Sequence, residues 1–517
     1  MLEFLHQHAA SVTGMISGFD RLRLRGTLRM LANLIGMDRF LSYTGHRLKD
    51  FGDYALCTSR RVRRQALDVV ESAGRPVVHL DSPTAGKEQI ALEIAARDGV
   101  QEGIIAAITA VESCPGYGVR SDRSRGLLEL YARPRRCQHI YTYRIDPRFG
   151  LCYTRQQTWF PFNIHVGLNG REWLARQMDA AGIDYRRADN CFTWIQDPGA
   201  AQELLDQQVS FGWGKAFAEW SREINPALPG IVGGYNIPYY WSIDQSEWAS
   251  DVMFKSADEL GRLFPSLIRH GMESFASPEV TRFLGRPVPA AGGVNPRFSG
   301  EVTTDLKRRP EGMRIKHRVN HNSIKMYDKA GSVLRVETTL NDMRDMKAPR
   351  VVEGKVVWRP MRKGVADVQR RAEVSQKSNE RYLEGLAAVQ TPTPLKELTQ
   401  GLGRAVTWNG RRARGLNLLG QEDGDLLAAA GRGEFLINGF RNRDLQGLLF
   451  KRDAADPAEQ RRRSGQVTRK LRLLRAHGLI QKVPHTHRYM VSEKGRRVIA
   501  ALHAAKEADI RKLTAAA

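Results

Sequence analysis

Breaking or transferring a phosphodiester bond in a nucleic acid calls for carboxylates that converge on a divalent metal. The alternative is a nucleophilic tyrosine whose metal is held by histidine and carboxylate. Residues of both kinds are spread along this chain. Asp20 lies in SGFDRLRLRGTL at a predicted strand start, Glu112 ends a strongly apolar strand, Glu337 sits within VLRVETTL, and His165 lies in NIHVGL. Tyr327 is flanked at alternate positions by Lys325 and Lys329. On a strand the three share one face, where the ammonium groups can depress the phenol pKa or hold a phosphate. An acid at a strand end also caps turns or pairs with arginine, so these positions define candidates rather than a site. In YYWSIDQSEWASD, Ser242 at an N-cap position predicts a helix over residues 243–253. Asp244, Glu247 and Asp251 would then share one face at i, i+3, i+7, able to bind Mg²⁺ or Mn²⁺ or to receive the chain's own arginines.

The charge balance points to the partner for such chemistry. Lys and Arg number 80 against 56 Asp and Glu, a formal +24, which predicts DNA and/or structured RNA ahead of an anionic membrane. Arg60, Arg61, Arg63 and Arg64 crowd around Val62 on a predicted helix. Arg133, Arg135 and Arg136 precede a predicted hairpin, and Arg308, Arg309 and Lys316 form a third cluster, followed by Lys325 and Lys329. Separated clusters suit an extended track, because phosphate contacts need only repeated cations along a path. Tyr141, Tyr143, Tyr153 and Trp159 interleave with basic residues and are candidates to stack unpaired bases.

The elements that must position these residues can be read in outline. Strands over 77–80 and 103–111 flank a helix over 87–97, giving a buried α/β unit. QHIYTYRI and LCYTRQQ form a hairpin around Asp146–Gly150, and a helix bearing Trp173, Leu174 and Met178 follows. Residues 199–285 read as mostly helical. MRIKHRV, SIKMYDK and VLRVETTL form a three-strand meander. At 517 residues the chain predicts about three domains of ~150 residues. The expected fold class is multidomain α+β: a helical then α/β stretch over 1–130, a hairpin plus helices over 131–285, a meander and helix over 286–385, a linker over 386–430 and a DNA- or RNA-binding module over 431–517.

In that last module Val467, Leu471 and Leu474 fall at i, i+4, i+7, while Arg469, Lys470, Arg472 and Arg475 occupy the remaining positions. LIQKV, carrying Lys482, and RYMVSEKG, preceded by His487-Arg488, predict a hairpin behind this helix. Helix, helix and hairpin in succession make the winged-helix form of the helix-turn-helix, whose second helix enters a major groove. Residues 431–517 carry 20 Lys and Arg against 8 Asp and Glu, half of the whole chain's excess charge.

The longest apolar run, over 103–111, falls short of the ~18–20 residues that span a bilayer, so the expectation is a cytoplasmic protein. Five cysteines without a C-x-x-C pair argue against a disulfide framework and a structural zinc site.

The phrase GQVTRKLRLLRAHGLIQKVPHTHRYMVSEKG resembles bacterial winged-helix domains. FDRLRLRGTL, QTWFPFNIHVGLNGREWLARQMDAAGI, YYWSIDQSEWASD and IKMYDKAGSVLRVETTLND together resemble an uncharacterised bacterial family, for which an association with mobile elements is expected. Within them, IKMYDKAGSVLRVETTL is similar to a hairpin of rolling-circle replication initiators, a resemblance that implicates Tyr327, Lys329 and Glu337. Those initiators carry a His-hydrophobic-His metal motif. Here His6-Gln-His8 and His485-Thr-His487 have polar centres and His139 and His165 stand alone, which argues against tyrosine-mediated nicking. Two functions compete: a metal-dependent nuclease or strand-transfer enzyme of a mobile or defence element, and a non-catalytic winged-helix regulator or structured-RNA binder. The first predicts Asp20, Glu112 or Glu337 within a few ångströms of one another; the second predicts them scattered.

Overall fold

The computed structural model describes residues 1–124, 126–273, 275, 277–285, 302–309, 312–344, 346–387, 395–432, 435, 439–450, 454–483 and 486–507. The chain divides into two units that interleave along the sequence. The larger comprises Val12–Leu260 and Asp328–Gln376, the smaller Met1–Ser11, Gly261–Tyr327 and Lys377–Ala517. The first thirteen strands among the described residues are β1 (Val12–Leu28), β2 (Val77–Leu80), β3 (Gly103–Asp122), β4 (Leu127–Asp146), β5 (Gly150–Gln157), β6 (Ile164–Asn169), β7 (Tyr185–Ala188), β8 (Cys191–Ile195), β9 (Tyr239–Phe254), β10 (Val302–Arg309), β11 (Gly312–Val319), β12 (Asn322–Lys329) and β13 (Val333–Leu340).

In the larger unit the strand order is β13-β9-β1-β6-β5-β4-β3-β2, so strands from each of the first three stretches delimited in the sequence join one sheet. Of these pairings only β2 with β3 is parallel, Val77 facing Ala107, and the helix Lys87–Arg97 makes the crossover that parallel strands require. β1 shows why the sheet has two characters. From Arg21 onward its side chains alternate, Leu22, Leu24 and Leu28 buried and Arg21 and Arg23 exposed. The leucine face joins the main core, where the Phe19 and Trp248 rings meet edge-to-face at 4.8 Å. The arginine face carries the polar chemistry.

Two helices fix β1 from behind. Gly18 leaves room for Leu205 on the helix Pro198–Ser210, where an added Cβ would lie 2.5 Å from the leucine Cγ. The helix Gly170–Ala181 starts directly after β6 because Asn169 caps it, its side-chain oxygen accepting from the Arg171 and Glu172 amides at 2.9 and 3.3 Å. Gly182, at φ 66°, ends it in the left-handed conformation that glycine tolerates best. At the start of this helix Gly170 lies so close to β1 that a Cβ would fall 1.8 Å from the Phe19 carbonyl oxygen.

The predicted helix over 243–253 is instead the middle of β9, a strand paired with β1 on one side and β13 on the other. The acidic spacing matched a helix, but Tyr239, Trp241 and Ile243 are buried in alternation with half-buried Tyr240, Ser242 and Asp244, which is a strand's period, and from Trp248 to Phe254 every residue is buried between its two neighbouring strands. The predicted α/β unit and hairpin are present, with β3 and β4 each extended to 20 residues, and the three strands read in the predicted meander are β11, β12 and β13.

In the smaller unit β10, β11 and β12 are antiparallel neighbours. Its C-terminal part holds the helices Gln421–Ala430, Asn442–Leu449 and Pro457–Ala476, the short paired strands Ile480–Lys482 and Tyr489–Val491, and the helix Glu493–Glu507. Leu402, Leu416, Leu426 and Leu427 share a core with Val467, Leu471 and Leu474. Residues 402–430, read from the sequence as linker, are therefore part of this packed body. The Pro- and Gly-rich run after Gly285, the TPTP segment and His485 lie outside the described residues.

The contact at Gly170 yields a direct test. Gly170→Ala should lower the free energy of unfolding by about 1–3 kcal/mol, the usual scale for overpacking against an immovable backbone. An unchanged urea midpoint would contradict the close approach.

Candidate active site

The pairing of β1 with β9 slips between Phe19 and Arg21: Phe19 faces Trp248, and Arg21 already faces Glu247. Asp20 is the extra residue of this bulge. A bulge re-aims the side chain it carries, and here Asp20 turns toward the arginine face. On the neighbouring strands Glu247 faces Thr339 of β13, and Glu337, two residues earlier, occupies the same side. One carboxylate oxygen from each of Asp20, Glu247 and Glu337 lies within 4.8 Å of the others. Asp20 and Glu337 are 3% and 1% exposed, and Glu247 is half-buried, so the group opens to solvent on one side.

Three acids at this distance repel one another, and the surroundings supply the counter-charge. Arg335, buried, donates from Nη1 to Asp20 Oδ1 at 2.9 Å, and Asn190 Nδ2 donates to the same oxygen at 3.0 Å. Arg335 also grips Asp251 through Nε and Nη2, at 2.5 and 2.8 Å. Arg171 donates from Nε and Nη2 to Asp251 Oδ2 at 3.1 and 2.8 Å and to the Ala249 carbonyl at 3.1 Å. Burial raises the Asp251 pKa, but the two guanidinium groups outweigh it and hold the carboxyl below its ordinary range. At the open side burial opposes the Arg21 charge, yet Asp20, Glu88, Glu247 and Glu337 outweigh it and raise its pKa.

The donor set fits a hard divalent cation. An octahedral ion with oxygen ligands at ~2.1 Å separates adjacent ones by roughly 3 Å and opposite ones by about 4.2 Å, so oxygens within 4.8 Å of one another must close by up to about 1.8 Å to share one. Asp251, proposed from the sequence as a metal ligand, does not belong to this set, because both its oxygens are taken by arginines. His165 does not either. It lies against Arg25, whose Nε donates to His165 Nε2 at 3.2 Å, with Asp244 3.8 Å away. Burial first, then Arg155 and Arg25, push its pKa down to about 3, so it is a neutral imidazole among cations.

Of the acids expected to converge, Asp20 and Glu337 meet and Glu112 does not. Glu112 lies on β3, four strands from β1, where it accepts from Tyr141 Oη at 2.7 Å and from Arg155 Nη2 at 2.8 Å, with Lys87 Nζ at 3.4 Å. Burial works to raise its pKa, and these partners together hold it below the ordinary value. Tyr327 belongs to the smaller unit, its ring 5.4 Å from Lys325 Nζ. Lys329, in the larger unit, pairs with Asp189. A separate enclosed group, Cys114, Cys137 and His139, has its sulfurs 3.1 Å apart.

The basic candidates divide into exposed and engaged. Arg60, Arg61, Arg63, Arg64, Arg133, Arg136 and Arg308 are exposed, as are Arg469 and Lys482 in the C-terminal part. Arg135 stacks on Trp159 at 4.8 Å, Arg475 on Trp408 at 4.7 Å, Lys470 pairs with Glu422, and Arg488 donates to the Gly439 carbonyl. Lys316 faces Lys325 across the β11–β12 pair, and Arg472 is half-buried. The side chain of Arg309 lies outside the described set. Sequence reasoning passed over Arg21, Arg23, Arg171 and Arg335. For the first two the signal was present, in the strict alternation of DRLRLRG; the other two act through partners remote in sequence.

No family model, curated protein or solved structure matches this chain.

Removing one partner from the buried ion cluster strands the others. Arg335→Met should cost about 3–5 kcal/mol in urea unfolding. Because the Asp251 pKa is depressed in the folded state, its contribution is present above the ordinary aspartate value of ~3.9 and is lost as pH falls below it. Stability should therefore fall on acidification through that range, and less steeply in Asp251→Asn; identical slopes for both proteins would contradict the assignment.

Proposed function

We propose that the protein is a metal-dependent enzyme that cuts or transfers phosphodiester bonds in nucleic acid. The observation that carries this reading is the convergence of Asp20, Glu247 and Glu337 at a bulge, on a face otherwise lined with arginine. Mg²⁺ or Mn²⁺ held by these carboxylates would polarise a phosphoryl oxygen and lower the pKa of a water nucleophile. The chain's own residues do the rest. Arg335 and Asn190 orient Asp20 and leave its second oxygen for the site. Gln245 donates to Glu247 Oε1 at 2.8 Å and steers it in the same way. Arg21, beside the three acids, is placed to take the charge that develops on a phosphate.

The C-terminal helices, with the hairpin behind them, support a winged-helix reading of that part. Its long helix presents exposed Arg461, Arg462 and Arg469, and half of the excess positive charge falls there. In this account the module holds duplex while the carboxylate site performs the chemistry, as in an enzyme of a mobile or defence element.

Two experiments test these parts separately. Asp20→Asn, Glu247→Gln and Glu337→Gln should each reduce Mg²⁺- or Mn²⁺-dependent cleavage of labelled oligonucleotides by at least about 100-fold, more than loss of a supporting partner does. Failure of the unmutated protein to cleave any single- or double-stranded substrate would favour the non-catalytic binder. Arg469→Ala combined with Arg472→Ala should weaken duplex binding and reduce the slope of log K against log salt by about two; an unaltered slope would move duplex binding elsewhere.

A further inference from the structure

We infer that the arginine face of β1 is a track for a single polynucleotide strand, leading to the carboxylates; the inference rests on the reading of those carboxylates as the reacting site. Arg21, Arg23 and Arg25 occupy alternate positions on β1 and so project from one face. Alternate residues on a strand stand ~6.7 Å apart, which places three cations in a row along one extended backbone. The row ends at Asp20, the residue next to Arg21.

What lies beside the row matches the same ligand. Opposite Arg23 on β6 is Gly167, and opposite Gly167 on β5 is Tyr153. The tyrosine ring covers the glycine so closely that a Cβ there would lie 2.1 Å from a ring carbon. A half-buried aromatic face is thus laid next to the arginines. Opposite Arg25 the same crossing runs through the neutral His165 to Arg155. A cationic row flanked by an aromatic ring is how strands without sequence preference are held: phosphates on the cations, a base on the ring.

The cations are available. Arg23 is exposed, with no ion pair among the described residues. Arg25 pairs with Asp244 at 2.7 Å, but its side chain is 42% exposed, and a pair in that position is worth little against a phosphate. Duplex fits less well. Two of the three acids are almost completely buried, and the turn between β7 and β8 brings Asn190 onto Asp20 and Arg335. One backbone can reach such a recess more readily than a paired helix.

The test uses the full-length protein in EDTA, with fluorescent oligodeoxythymidylate, oligouridylate and a duplex of equal length as probes. Arg23→Ala and Arg25→Ala should each weaken binding of the single strands by about tenfold and reduce the salt slope by about 0.7, with duplex affinity unchanged and Arg23→Lys restoring most of the loss. Unchanged single-strand affinity in both variants overturns the track. So does an equal fall for single strand and duplex, or the absence of single-strand binding by the unmutated protein. A protein that binds strands through Arg23 and Arg25 yet cleaves nothing would retain the track and refute the catalytic reading. Glu337→Gln should retain strand binding while losing cleavage.

Discussion

Two fully buried arginines, Arg171 and Arg335, set the terms for the larger unit. Neither can give up its charge, and neither tolerates an apolar interior without carboxylate and carbonyl partners. They meet those needs at one place, on Asp251, Asp20 and the Ala249 and Asn190 carbonyls. Satisfying them requires β1, β9, β13, the first turn of the helix after β6, and the turn between β7 and β8 to arrive together. The cluster therefore acts as a registration device: a one-residue slip in any of these strands would strand a buried ion.

That requirement explains the bulge. With Arg335 anchored on Asp251, Asp20 reaches the same guanidinium only if β1 carries one extra residue between Phe19 and Arg21. The same residue then stands beside Glu247 and Glu337. Fold stability and the candidate chemistry are thus coupled through one side chain, whose Oδ1 is held by the scaffold while its carboxylate stands beside the other two acids. The rival physical account is that Arg21 alone neutralises the trio and the arrangement is structural. The two differ in what occupies the space between the carboxylates, a cation from solution or a guanidinium from the chain.

The amino-acid sequence made local features legible and hid the registered ones. The strands VLRVETTL and IKMYDK, the apolar run in GIIAAITAV and the strand-turn-strand around Asp146–Gly150 are local signals, and each appears as a strand or hairpin as read. Asp20 and Glu337 stood out as acids in strands. Glu247 was noticed for the wrong reason, since Asp244, Glu247 and Asp251 fit a helical face while the true pairing is with distant strands. Asp251 looked like a metal ligand because its arginine partners lie 80 and 84 residues away. Glu112 shows the converse: read as an acid at a strand end, it lies in the middle of β3, paired with Tyr141, Arg155 and Lys87. Proximity created by sheet order and by a bulge is not a property of any window of sequence.

The central claim concerns what sits among Asp20, Glu247 and Glu337, and diffraction from crystals soaked in Mn²⁺ decides it most directly. The account predicts an anomalous peak bonded to oxygens of all three at ~2.1–2.2 Å, with Arg21 displaced toward solvent and the peak absent in Glu337→Gln. Manganese found only elsewhere on the surface, with the Arg21 guanidinium seated between the three carboxylates, would contradict it.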